Sequence, residues 1–295
     1  MAKELYLNGS EKMRVLDMHA HLSCFPDSEE GSSPAEAGSS ERMQKEAEKE
    51  ISMRDSGRIA TFFSCKSPKE WELIQTYRKR AELLFSFGIH PWVSDRYCAD
   101  DCMEYFRNCD AVGEIGMDSV WCEIPLDVQR RQLERQLMIA ADLGKPVVLH
   151  TKGQESVIAE IVNGFPNPVC VHWYSGGSQS LEKFLEMGCY FTLGPDLASV
   201  CRKPAAAAHS EEGGEHIYFR MLREIPAERL FLETDGISAV AWALGERYTG
   251  LKNIRPVLSE NMRCLAGMKK MKEEELCRKM WENLGRFLGR DEMTV

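Results

Sequence analysis

Eight short apolar runs recur along the chain with helical patterns between them, and this rhythm restricts the fold more than any other feature. They are "RVLD" ending at Asp17, "RIATFF", "LLFSFG", "AVGEIG", "PVVLH", "PVCVH", "CYFTLG" and "RLFLET". Short runs rich in β-branched and aromatic residues read as strands, and near-continuous hydrophobicity marks strands covered on both faces. Their spacing of about 20 to 45 residues brackets the roughly 30 residues per strand–helix unit of a (β/α)8 barrel. The expected fold is α/β, a distorted TIM (β/α)8 barrel with extra C-terminal helices, forming one domain over residues 1–295.

The segments between the runs carry helix signals. "EIPLDVQRRQLERQLMIAADLG" has Pro125 near its start, apolar residues at helical spacing and Gly144 at its end. "SPKEWELIQTYRKR" offers Ser67 as an N-cap, Pro68 at the first position and Glu70 as capping-box partner. "SQSLEKFLEMG" closes at Gly188, and two further helices, "NIRPVLSENMRCLAGM" and "KEEELCRKMWENLGRFLG", follow the eighth strand. Two stretches break the rhythm. Residues 26–40, rich in Ser, Gly, Pro and Glu, read as a flexible loop insertion after the first strand, and 201–216 as a polar excursion after the seventh, with His209 and His216 exposed.

The opening residues lack the apolar core of a signal peptide and no run approaches a membrane span, so the expected location is cytoplasmic. Eleven scattered cysteines without a secretion signal read as reduced thiols. A net charge of −9 argues against broad electrostatic adhesion to nucleic acid or an anionic membrane, yet leaves room for a local phosphate site beside bound cations.

Placed at the carboxyl ends of the expected strands, the polar residues form a constellation. His19 and His21 follow the first strand, Glu114 lies in the fourth, His150 and His172 follow the fifth and sixth, and Asp235 follows the eighth. In a barrel these positions face one pocket. Alternation along a strand sends His19 and His21 to the same side. Imidazole and carboxylate together are the donor set of Zn, Mn, Fe or Ni, whereas Mg and Ca favour all-oxygen sites.

The blocks "DMHAHL", "GIHPW", "AVGEIGMD", "PVVLHT", "VHWYSGG", "YFTLGP" and "LFLETD" resemble, in this order, the signature of the TatD-related metal-dependent hydrolases of the amidohydrolase superfamily. The resemblance runs from about Val15 to Leu288. It implies one metal held by His19, His21 and Asp235, a second held by His150 and His172, and Glu114 bridging both. It also implies two divalent ions (Zn, Mn, Mg, Fe or Ni) and hydrolysis of phosphodiester bonds, as in deoxyribonucleases that trim DNA from the 3′ end. Two ions suit that reaction because they activate water and stabilise charge on an in-line transition state. Glu114 and Asp235 are the expected catalytic carboxylates, with Asp235 also accepting the proton of the water.

DNA ends or a small phosphodiester are the partners this implies, with no membrane and no obligate protein partner. His90 matches a histidine the family keeps near the substrate phosphate. Lys152 stands where the family usually has arginine, which keeps the cation without the bidentate fork. Asp118 is expected either to orient a ligand histidine or to cap a strand end. Trp92, Trp173 and Tyr174 read either as base-stacking residues or as ordinary packing, and Trp173 and Tyr174 join His90 and Lys152 as expected substrate-binding residues. The stretch "GISAVAWALGERYTG" departs from the family where a proline and an aromatic residue usually follow the acidic ligand. That departure keeps two alternatives open: a hydrolase of the same superfamily acting on a lactone, ester or amide, and a noncatalytic metal-bound barrel.

Overall fold

The structure is a computed structural model, and it describes residues 13–25, 37–77, 83–202 and 216–290. Its sheet has eight parallel strands in the order of the chain. These are β1 (Val15–Ala20), β2 (Ile59–Cys65), β3 (Leu83–Phe87), β4 (Ala111–Gly116), β5 (Val147–His150), β6 (Val169–Val171), β7 (Tyr190–Leu193) and β8 (Leu230–Leu232). Each coincides with one of the eight apolar runs.

A helix follows every strand. They are α1 (Ala37–Ser56), α2 (Pro68–Gln75), α3 (Met103–Asn108), α4 (Leu126–Asp142), α5 (Glu155–Ile161), α6 (Ser178–Glu186), α7 (Leu197–Arg202), α8 (Ile217–Glu224), α9 (Ile237–Leu244), α10 (Ile254–Lys269) and α11 (Glu273–Leu288). None of the described helices is long and apolar enough to cross a membrane. Local chemistry sets several of their ends. Ser67 accepts from the N–H of Glu70, while the Glu70 carboxylate accepts from the N–H of Lys66, so α2 starts where the capping box expects. It ends at Gln75, and residues 78–80 of the expected stretch lie outside the described residues. Gly144 and Gly188 close their helices in the left-handed region expected of helix-ending glycines.

Helices outside and strands inside leave the barrel wall buried on both faces. Phe62, Phe63, Phe85, Phe87, Phe191 and Phe231 are all fully buried, each contributing about 1.5–3 kcal/mol. The distortion lies at the seam. Among the described residues no strand ladder joins β8 to β1, and a few hydrogen bonds, two of them to the Asp17 side chain, do the joining. Asp17 accepts from the N–H of Thr234 at 2.8 Å and from its hydroxyl at 2.6 Å, and the N–H of Asp235 donates to the His19 carbonyl at 3.0 Å. Arg54 of α1, fully buried, donates to Asp17 at 2.7 Å and to Glu50 at 3.1 Å. Glu50 in turn holds the N–H and hydroxyl of Ser23, just beyond β1.

Most of the loop expected at 26–40 lies outside the described residues. Its last four positions are corrected, because the backbone is already helical at Ala37. Most of the 201–216 excursion, His209 included, also lies outside them. His216 is a second correction: it is half-buried and caps α8, its Nδ1 accepting from the N–H of Tyr218 at 3.3 Å.

Candidate metal centre

The ends of the strands bring the six expected donors together. His19 ends inside the barrel because β1 alternates, and His21 follows on the same side, so their Nε2 atoms stand 3.4 Å apart. Glu114 reaches across from β4 and places Oε2 at 3.3 Å from His19 Nε2 and 3.2 Å from His21 Nε2. Asp235, just past β8, sets Oδ1 at 3.5 and 3.6 Å from the same two nitrogens. An ion held tetrahedrally by bonds of about 2.0–2.1 Å has donor–donor edges of about 3.4 Å. The separations among His19, His21 and Glu114 therefore fit three ligands of one divalent cation, and Asp235 stands at similar distances from the two histidines. Asp235 Oδ1 is also buried with no hydrogen-bond partner among the described residues, which suits an atom whose partner is a cation.

The other carboxylate oxygen of Glu114 faces a second group. Oε1 lies 2.6 Å from His150 Nδ1, 2.9 Å from His172 Nε2 and 3.6 Å from His90 Nε2. His19 and His172 stack with ring centroids 4.3 Å apart, so the two groups are contiguous.

Behind the donors, oxygen acceptors fix the imidazoles. His21 Nδ1 lies 2.9 Å from the Ser64 carbonyl, His150 Nε2 3.0 Å from Asp118 Oδ2, and His172 Nδ1 3.2 Å from Glu233 Oε1. Each acceptor calls for an N–H on that outer nitrogen, leaving the inner one with a free lone pair. Asp118 is a hub: it also accepts the indole N–H of Trp92 at 2.9 Å and the backbone N–H groups of Val120 and Trp121, both at 2.8 Å. Its two oxygens divide the two expected roles, with Oδ2 against His150 and Oδ1 capping the turn after β4. Glu233 escaped the sequence reading, although it stands two residues before Asp235, the spacing that had paired His19 with His21.

Burial penalises every charge in this cluster, and neighbours decide the outcome. Burial, with the charge of His172 adding to it, lowers His19 to about 4, and burial lowers His90 to about 4 against the pull of Glu114. For His21 burial loses to the hydrogen bond it donates to Glu114 and to the charge of Asp235, which raise it to about 9. Burial lifts Asp235 to about 7 despite His172 and His21. Glu114 is also penalised by burial, but the imidazoles of His172, His90 and His150 outweigh it and hold this carboxylate well below its usual range. Imidazoles that carry protons here must release them when a cation takes their lone pairs.

The four expected substrate-binding residues separate. His90 is buried in the pocket; its Nδ1 accepts from the N–H of Trp92 at 3.2 Å, which leaves the proton on Nε2, the nitrogen facing Glu114. Lys152 is half-buried just beyond the carboxyl end of β5, with Nζ donating to the Ser175 hydroxyl at 3.2 Å and lying 4.6 Å from the Trp121 ring centroid. Trp173 is half-buried at the same end of the barrel. Tyr174 is a correction. It is fully buried against Phe184 and Phe191 with its hydroxyl donating to the Gly177 carbonyl at 2.6 Å, so its ring has no face open to a ligand. The turn at Trp173, which has a positive φ of 34°, sends the next side chain inward.

A parallel barrel with a buried cluster of histidines and carboxylates at the carboxyl ends of its strands defines a metal-binding (β/α)8 protein. The chain belongs to the TatD related DNase family, whose model matches residues 16–289. Among relatives, it is 30% identical over 159 residues to the human 3′-5′ RNA nuclease TATDN2, covering 51% of this chain and 19% of that protein. It is 26% identical over 211 residues to a 3′-5′ ssDNA/RNA exonuclease TatD from Pantoea ananatis, covering 68% and 76%. An uncharacterized metal-dependent hydrolase, YabD of Bacillus subtilis, is 24% identical over 186 residues, covering 60% and 64%. The chain thus spans about a fifth of the human relative's length and just under two thirds of the Bacillus one's. The crystal structure of YjjV, a TatD homolog from Escherichia coli, superposes with a TM-score of 0.70 at 18% identity, covering 93% of this chain and 97% of that one, which shows the shared fold.

Proposed function

We propose that this chain is a divalent-metal-dependent phosphodiesterase that trims single-stranded nucleic acid from its 3′ end. The observation that carries the reading is Glu114, whose Oε2 faces His19 and His21, the pair that Asp235 also approaches, and whose Oε1 faces His150 and His172. One carboxylate serving two such groups supports a pair of ions bridged by Glu114. The imidazole content suits Zn, Mn, Fe or Ni. Such ions, when bound, supply water activation and charge stabilisation at the phosphoryl group.

The protein's own residues do the rest. Asp118, Glu233 and the Ser64 carbonyl hold His150, His172 and His21 in the orientation that presents a lone pair inward. Asp235 accepts the proton of the attacking water at its carboxylate. His90 presents an Nε2–H to a non-bridging phosphate oxygen, and Lys152 offers a point charge. The nuclease names of the Pantoea and human relatives agree with this assignment.

The deciding experiment is a panel of single-stranded DNA, RNA and a chromogenic phosphodiester, each assayed with Mn, Mg and Zn, with Asp235→Asn as control. Metal-dependent release of 3′ nucleotides by the wild type alone is the expected result. Absence of turnover on every phosphodiester removes the reading, and turnover of lactones or carboxyl esters in its place assigns the site to carboxyl hydrolysis.

A further inference from the structure

Three tryptophans from three different segments beyond the carboxyl ends of the strands meet, and nothing in the chemistry above uses them together. Trp121 follows β4, Trp173 follows β6 and Trp242 lies in α9. The ring centroids of Trp121 and Trp242 are 5.8 Å apart, and those of Trp173 and Trp242 5.9 Å, both edge to face. Core packing does not account for Trp121 and Trp242, which are 51% and 70% exposed, whereas Trp173 is half-buried with one side against the core. Large aromatic surface left in water beside a binding pocket marks a recognition site.

The cluster is tied to the metal centre by its backbone. The N–H of Trp121 donates to Asp118, the carboxylate that orients His150, at 2.8 Å. Trp173 immediately follows His172, and its N–H donates to the Thr192 hydroxyl at 2.8 Å. Its φ of 34° is unusual for a bulky residue, and such strain persists only where the surroundings enforce it. Gly194 makes room for the indole: a Cβ there would stand 2.2 Å from Trp173 Nε1. Trp242 is carried by the helix that begins just after Asp235, where Gly236 has a φ of 94° and a Cβ would meet the His21 carbonyl at 2.8 Å. Rings carried on backbone fixed at these points need less ordering to form a stacking surface.

Resting on the phosphodiesterase reading, we propose that Trp121, Trp173 and Trp242 form a platform for the nucleobases of a single strand whose phosphate enters the metal centre. Lys152, 4.6 Å from the Trp121 ring centroid, faces the backbone of the same strand. A π-surface beside a cation matches a nucleotide, with an aromatic base and an anionic backbone, better than an apolar peptide. Every base has a π-face, so the platform selects single strands over duplexes without reading sequence.

The test uses metal-loaded wild-type protein and fluorescent oligodeoxynucleotides with non-hydrolysable phosphorothioate linkages, either with bases or with abasic sugars at the 3′ end. The base-bearing strand should bind about 10-fold more tightly, the size of one base–aromatic contact. Trp242→Ala should bring its affinity down to that of the abasic strand, and Trp242→Phe should restore most of the difference. Equal binding of the two strands by the wild type, or an unchanged preference in Trp242→Ala, overturns the platform. Cleavage of ordinary oligonucleotides judges the phosphodiesterase reading separately: cleavage together with equal binding of base-bearing and abasic strands removes the platform alone, and base-dependent binding without cleavage keeps it while removing that reading.

Discussion

At the floor of the site four of the six donors are buried, and three of the histidines are held from behind by an oxygen, whereas at the rim Trp121 and Trp242 stand largely in water. The two regions share their loops. His172 and Trp173 are neighbours, and Asp118 serves both His150 and Trp121. Burial makes the difference. A charge at the floor is tolerable only with complementary charges around it, so its composition has little freedom. A side chain at the rim keeps its hydration and can change at small cost in stability. Changes at the floor should therefore appear in metal content, turnover or folding, and changes at the rim in affinity and substrate choice.

Glu114→Gln attacks the floor where it is most connected. Loss of an orienting partner behind a ligand costs about 10–100-fold in metal affinity or activity, and removal of the shared carboxylate should exceed this. Turnover is expected to fall by about 10³-fold or more, with less metal per chain by elemental analysis. Wild-type metal content with near-normal turnover would remove Glu114 from the centre of the site.

Arg54→Met tests the support beneath the floor. It leaves the buried carboxylates of Asp17 and Glu50 without their shared cation, and breaking a buried pair costs about 3–5 kcal/mol. Denaturant unfolding should show that loss. A midpoint equal to wild type would mean that the β8–β1 seam closes without it.

Asp118→Asn sits between the two regions. It weakens the hold on His150 and on the indole of Trp92, so metal affinity or activity should drop by about 10–100-fold. A change in strand affinity at saturating metal, with turnover intact, would place its main effect at the rim.

How much of this was legible in the sequence follows the same division. The barrel and its six donors were readable because strand alternation and the carboxyl-end rule depend on local pattern, as "HAH" and "GEIG" illustrate. Arg54 was not, since a helical arginine ordinarily faces water and only the encounter with Asp17 and Glu50 buries it. Tyr174 was misjudged because the backbone turn at Trp173 has no signature in residue type. The convergence of Trp121, Trp173 and Trp242 depends on loop paths among residues far apart in sequence, which no periodicity encodes.

Lys152→Met probes the rim with the smallest effect and the clearest signature. Its ammonium group is solvated, so its removal should leave the fold, the metal content and kcat within about twofold of wild type, as surface ionic contacts contribute little. If Lys152 faces the strand's phosphates, KM should rise a few-fold and about equally for every sequence. The slope of log affinity against log salt should also shrink, by about 0.7 for one phosphate contact on a single strand. A loss that differs among bases, with an unchanged salt slope, would instead assign Lys152 to supporting the Trp121 ring. The two outcomes separate a lysine that meets the backbone from one that only holds the aromatic surface in place.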